Sequence, residues 1–270
     1  MFQNLRKSKK LLLIAMTCAT FAIAGCGSDT TKTTADNGPS VTWSETFDGT
    51  KTDFAVKSAP THAVSMSQAT TEMMLQLGLE DKMAGTAFKE EEIYPPLQAA
   101  YDKVKVLSDK WPSYEVFMSV KPDFATGWPD SFSKRAIPAD KMISQKVNIW
   151  IPESMLSTKA DLETNFSDMI KLGEIFGVKP KAEEWVAGQR KTLAAIQNKL
   201  KDLPRKRVFI YDSEDGQPFT AFEGYTTNIL KLIGADNVMS GLGVDKTWAK
   251  GSWETVIAQN PDYIIIADYG

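Results

Sequence analysis

Two pairs of segments in this chain align with each other without a gap and in the same order. Residues 70–85 (TTEMMLQLGLEDKMAG) match 226–241 (TTNILKLIGADNVMSG), and residues 113–124 (SYEVFMSVKPDF) match 252–263 (SWETVIAQNPDY). The copies lie roughly 140–155 residues apart. Solenoid repeats are shorter and more numerous, so a pair at this separation reads as two related lobes joined by a connector. Two such lobes face each other across a cleft, and ligand sites favour interfaces of that kind.

The repeated segments also set the fold class. Ala63-Val64-Ser65-Met66 reads as a short strand entering a helix at about Ala69. In that helix Met73, Met74 and Leu77 share one face, and Gly78 supplies the left-handed stop. The twin places Ile229, Leu230 and Ile233 at the same positions, with Gly234 as its stop. Short strands are then expected at Met83-Ala84-Gly85 and Met239-Ser240-Gly241. The second unit opens on a helix N-cap at Ser113 or Ser252, and Pro122 or Pro261 ends the helix. Glu115 or Glu254 sits in its first turn, where a carboxylate favours the helix dipole. A strand follows at once, Phe124-Ala125-Thr126 in one copy and Tyr263-Ile264-Ile265-Ile266 in the other. Strands alternating with helices imply parallel sheets with helices outside, so each lobe is expected to be α/β. Val208-Phe209-Ile210-Tyr211 fits the first buried strand of the second lobe.

Between the lobes, Leu162, Phe166, Met169, Ile170 and Leu172 recur at helical spacing from Asp161 to Phe176, closed by Gly177. Pro180 opens a second helix running to about Leu203, with Trp185, Leu193, Ile196 and Leu200 along one side. A helix of about twenty residues spans roughly 30 Å. As the crossing between lobes it is a stiff spine, which limits how far the cleft can open.

The amino terminus carries Arg6, Lys7, Lys9 and Lys10, then an apolar stretch over residues 11–24 that is short for a membrane span. This is the pattern of a secretory signal, and its ending Ile23-Ala24-Gly25-Cys26 resembles a bacterial lipoprotein box, with Cys26 as the lipid attachment point. Cys18 lies inside the signal, so processing would leave only Cys26 and no disulfide. About 245 mature residues suffice for a core without one. Loss of the four signal cations would take the formal charge from −3 to −7, an acidic balance that argues against nucleic acid and against electrostatic adhesion to anionic lipid. The reading divides the chain into a signal peptide (1–25), a polar tether (26–40), an N-terminal lobe (41–158), connecting helices (159–203) and a C-terminal lobe (204–270). The N-terminal lobe starts with VTWSETFDGTKTDFAV, a hairpin pattern around the turn pair Asp48-Gly49.

The lipoprotein box, the Ser-x-Glu helix ending in Lys-Pro-Asp or Asn-Pro-Asp, the Gly-ended helix before it and the long connecting helix form a recognisable set. Together they resemble the iron-siderophore and vitamin B12 class of ABC-transporter substrate-binding lipoproteins, over about residues 58–270. The resemblance implies two α/β lobes that hold a metal chelate in a shallow cleft, with little change of shape on release. It implies a permease dimer with its ATPase as partner, and one docking glutamate per lobe, here Glu115 and Glu254, facing permease arginines. One feature departs from the pattern. The first lobe continues to a further apolar strand, Val147-Asn148-Ile149-Trp150-Ile151, whereas the second stops at Asp268-Tyr269-Gly270, so the C-terminal lobe reads as truncated.

Enzymatic chemistry finds no support in the sequence. There is one histidine, His62, and no G-x-S-x-G elbow, P-loop or G-x-G-x-x-G fingerprint. A single histidine cannot build the clusters that hold bare zinc or manganese, so a metal is expected only inside an organic chelate, and no cofactor is expected. Aromatic residues are well supplied near strand ends: Phe88, Trp111, Trp128, Trp150, Tyr225 and Trp248 are the candidate ligand contacts, at the edge where α/β ligand sites form. Lys134 and Arg135 could meet an anionic ferric siderophore. The sequence therefore reads as a membrane-tethered solute-binding protein for a ferric siderophore or a related chelate such as cobalamin or haem. The alternative of another class is a surface lipoprotein that uses the same fold as a sensor or adhesive module.

Overall fold

Asp48 and Gly49 both adopt positive φ, 48° and 78°, and turn β1 (Val41–Phe47) back on β2 (Thr50–Val56) as an antiparallel hairpin. The computed structural model describes residues 40–268; the expected signal, Cys26 and nearly all of the tether lie outside the described residues. The hairpin is pinned to the first lobe by Trp43, whose Nε1–H donates to the Ile149 carbonyl at 2.7 Å.

The chain then enters β3 (Ala63–Ser65) and α1 (Gln68–Gln76), whose first turn is capped by Ser67 accepting from the Thr70 N–H. There follow β4 (Met83–Ala87), α2 (Gln98–Tyr101), β5 (Val106–Ser108), α3 (Tyr114–Ser119), β6 (Phe124–Thr126), α4 (Ala139–Ser144) and β7 (Asn148–Trp150). The strands form one parallel sheet in the order β5-β4-β3-β6-β7. Both faces are covered, and successive residues of each strand point to opposite faces. Ala63, Phe124 and Trp150 therefore pack toward the connecting helices, whereas Val64, Ala125 and Ile149 pack toward Phe117 and Met142.

Asp161 and Thr164 form a capping box that starts α5 (Leu162–Ile175), and α6 (Lys179–Leu200) follows. The two helices cross closely at Gly173, where an added Cβ would stand 2.7 Å from that of Ala182. At 1.5 Å per residue, the 22 residues of α6 span about 33 Å. Its first half is packed through Ala182 and Val186, while Ile196, on the expected apolar side, is 40% exposed.

The second lobe contains β8 (Lys206–Tyr211), β9 (Ser213–Glu214), β10 (Pro218–Ala221), α7 (Tyr225–Leu232), β11 (Ala235–Asn237), β12 (Trp248–Lys250), α8 (Trp253–Gln259) and β13 (Tyr263–Ile266). Its parallel sheet has the order β11-β8-β13, matching β4-β3-β6 of the first lobe, and an antiparallel sheet β12-β10-β9 is added beside it. The duplication is thus visible as two three-strand units, with α1 directly after β3 in the first and α7 after β8 and the inserted β9 and β10 in the second. Two details differ between copies. The strand expected at Met239–Gly241 lies earlier, at β11, because Asn237 ties that segment down: its Nδ2–H donates to Ala221 O and Thr227 Oγ1, and its Oδ1 accepts from the Met239 N–H. β6 is fully buried, whereas the four residues of β13 are 46–65% exposed.

Candidate functional site

The carboxyl ends of β3 and β4 meet the start of α1 over a buried cluster of hydroxyls. Ser65 Oγ lies 2.7 Å from Thr70 Oγ1 and accepts from Thr71 Oγ1 at 2.9 Å, and Thr71 Oγ1 lies 2.6 Å from Thr86 Oγ1. All four residues are at most 2% exposed. In such dry surroundings a satisfied network fixes geometry strongly. It sets where α1 begins, and so where Ala69 and Met73 stand at the sheet's carboxyl edge, the usual place for ligands in α/β folds.

Two cavities open along this edge. One, of about 360 Å³, is lined by Phe88, Glu90, Trp111, Trp128, Pro129 and Asp130. Trp111 is held by its Nε1–H, which donates to Met66 O at 3.2 Å and to Ser131 Oγ at 3.1 Å, and its ring packs on Phe88 with centroids 4.6 Å apart. Lys110 Nζ stands 5.1 Å over the Phe88 ring. Burial pushes the Glu90 carboxyl above its ordinary range, against the pull of Lys110.

The other cavity, of about 500 Å³, lies between the lobes. Ala69, Met73 and Trp128 wall it on the first lobe, Ser154, Met155 and Asn165 at the connection, and Glu223, Tyr225, Thr226, Thr247 and Trp248 on the second. Trp128 lines both cavities. The lobes approach closely at Gly224, whose φ of 87° and lack of a side chain let it pass Ser157 O and Thr247; a Cβ there would sit 2.8 Å from Thr247 Cγ2. Asn228 Nδ2 then donates from the second lobe to Ala160 O of the connecting segment at 2.8 Å. Glu223 is oriented by accepting from Ser240 Oγ and the Gly241 N–H. Burial, with the nearby Asp168 charge, raises the Tyr225 hydroxyl pKa, so its O–H stays protonated and able to donate.

Five of the six aromatic residues singled out from the sequence therefore stand at cavity walls: Phe88, Trp111 and Trp128 in the first, Trp128, Tyr225 and Trp248 in the second. Trp150 does not. Strand alternation turns it into the core with Phe124 and Phe166, 4% exposed, so it lines neither cavity. Arg135 lines neither as well; its guanidinium pairs with Asp130 at 2.5 Å and so stands behind a lining carboxylate. Met73, placed by its period on one face with Met74 and Leu77, packs against the core and also lines the inter-lobe cavity. Glu223 was not picked out from the sequence, although its place before Gly224 at a strand-to-helix loop was a usable signal. His62 is exposed, with Nδ1 3.0 Å from Thr61 Oγ1. Glu115 and Glu254 are exposed in the first turns of α3 and α8, outside both cavities, and hydrogen bonds from its own N–H and from Ser113 hold the Glu115 carboxyl below its usual range.

Two buried carboxylates hold the segment that feeds the inter-lobe cavity. Glu45 is 6% exposed and accepts from the Ile151 N–H at 3.0 Å; Asp168 is 4% exposed and accepts from the Glu153 and Ser154 N–H groups, each at 2.9 Å. Burial pushes Glu45 from 4.5 up to about 7, and raises Asp168 as well despite its two bonds. Glu45 is harder to ionise folded than unfolded, so the folded chain binds the extra proton between pH 4.5 and about 7. The stability it contributes is complete below 4.5 and is lost as pH rises to about 7, a change on the order of 3 kcal/mol. Thermal midpoints measured across that window should fall with rising pH in the wild type and less steeply in Glu45→Gln. Equal slopes would place the titrating group elsewhere.

Residues 64–269 match the family model described as periplasmic binding protein. A crystal structure of a periplasmic binding protein from Veillonella parvula dsm 2008 is 99% identical, with a TM-score of 0.85 over 86% of this chain and 79% of that one. An uncharacterized ABC transporter substrate-binding lipoprotein of Bacillus subtilis (strain 168), YvrC, is 26% identical over 97% of this chain and 82% of its own. The crystal structure of an ABC-type Fe3+-hydroxamate transport system from Saccharomonospora viridis DSM 43017 shares the fold at 20% identity, with a TM-score of 0.66 over 83% of this chain and 79% of that one.

Proposed function

This chain belongs to the periplasmic binding protein family, and from that premise we propose that it is the extracytoplasmic lipoprotein of an ABC importer that captures a ferric siderophore or related metal chelate and delivers it to a membrane permease. The observation that carries the reading is the cavity between the lobes, with Trp128 on one wall and Tyr225 and Trp248 on the other. Flat rings on facing walls suit a bulky chelate with apolar faces, through buried area and stacking. Glu223, Asn165 and the Tyr225 hydroxyl, with Ser154, Thr226 and Thr247, supply polar groups that orient a ligand in such a site. The Fe3+-hydroxamate name of one relative of this fold supports the same ligand class. Cobalamin and haem are the other chelates that such walls would accept. Deleting the gene should abolish uptake of the matching iron chelate, and the intact gene should restore it; undiminished uptake in the deletion strain would contradict the transport role.

Anchoring belongs to the same reading. The Ile23-Ala24-Gly25-Cys26 box provides a thiol for lipid, and a diacyl anchor with a polar tether keeps the lobes near the membrane. Cys26→Ala should release the protein from the membrane fraction or leave its signal uncleaved. Retention with the wild-type mass would rule lipid anchoring out.

A further inference from the structure

A neighbouring cavity of about 610 Å³ adjoins the one between the lobes. Ala69, Met73 and Asn165 line both, so the two adjoin along one wall, with Trp128 and Trp248 at the first and Tyr94 and Trp185 at the second. The extension lies in the groove where α1 faces the start of α5 and α6, and like the cleft it is lined by one carboxylate among aromatic residues. Among the described residues that line it, Glu72 is the one that carries charge. Its Oε1 accepts from the Tyr94 N–H at 3.2 Å and from Gln68 Nε2 at 2.9 Å, which fixes the carboxylate at the wall. Tyr94 is 55% exposed and Trp185 half-buried, so ring surface remains open on both sides. A fixed anion in a groove that two aromatic rings also line favours a cation, by charge and by the ring quadrupole.

We propose that this extension holds the cationic, primary-amine end of an elongated chelate whose metal centre lies between the lobes. The proposal rests on the chelate-binding reading and narrows it: a linear, amine-ended chelate is preferred over one whose end is neutral. The extension supplies room for a chain leaving the cleft past Met73 and Asn165, and Glu72, the neighbour of Met73 in the chain, supplies the counter-charge there.

The probes are the ferric complex of a linear trihydroxamate with a free primary amine, and the same complex with that amine acetylated. Tryptophan quenching should show the amine complex binding about five- to twentyfold more tightly to the wild type. Glu72→Gln keeps an acceptor for the Tyr94 N–H and should erase the preference by weakening the amine complex alone. Gln189→Lys, on the exposed side of α6, should do the same by bringing a cation to the wall. Equal affinity for the two complexes in the wild type, or a preference that survives both substitutions, would overturn the tail site and leave the chelate reading standing. Absence of saturable quenching by either complex would overturn the chelate reading, and the tail site with it.

Discussion

Reversing Glu115 and Glu254 together to Lys should collapse uptake while leaving ligand affinity unchanged. Each glutamate occupies the same place in a duplicated unit: second residue of a short helix, after an N-cap serine that accepts from the N–H three residues on. Both are exposed and neither lines a cavity, so ligand contacts are untouched. The cost to each helix is small, about 0.3–1 kcal/mol for an unfavourable charge at its N-terminus. The cost at a docking surface is larger. We propose that the two related lobes meet the two subunits of a permease with one anion per half, so that reversal sets like charges against each other at both points. Single reversals should be milder than the double, with uptake reduced about tenfold or more in the double variant. Binding and uptake should be measured side by side. Wild-type transport by the double variant would leave the glutamates as helix-start residues and nothing more.

Replacing Trp128 or Trp248 by Ala should weaken chelate binding by roughly ten- to a hundredfold each, the loss of about 1–3 kcal/mol from a packed aromatic contact. Trp128 should matter most, because it is the wall shared by both cavities. Trp111→Ala should cost less affinity, since its ring is already engaged by Phe88 and its Nε1–H by Met66 and Ser131. Trp150 is the internal control. Buried with Phe124 and Phe166, it should lower stability by about 3–5 kcal/mol when cut to Ala, with affinity per folded molecule unchanged. Unaltered affinity in both Trp128→Ala and Trp248→Ala would remove the rings from the binding surface.

The duplication was legible because it is a local matter: apolar period, N-cap serine and terminal glycine recur at fixed offsets, and each forces the same element twice. The hairpin was legible for the same reason, from Asp48-Gly49 between two alternating runs. What escaped were features decided by partners distant in sequence. Asn237 forms a strand end because Ala221 and Thr227 bond its amide, and nothing within residues 235–241 announces that. Trp150 and Trp128 both sit at strand ends, yet one faces the connecting helices and the other the cleft. Strand period sorts residues onto two faces but does not say which face a helix covers. Met73 and Met74 fall on the same helical stripe, and only the approach of Asn165 and Trp128 makes the first a wall residue and leaves the second in the core. The groove beside Glu72 is of the same kind, assembled from α1, the turn at Pro95–Leu97 and the two connecting helices.

On the proposed function, the space between the lobes takes one metal chelate. The most direct measurement is an equilibrium titration of the purified protein, followed by its tryptophan emission, with a ferric trihydroxamate, a cobalamin and haem. One of these should quench saturably, at one ligand per chain, with a Kd of about 1 μM or below. Linear, non-saturating quenching by all three would contradict it.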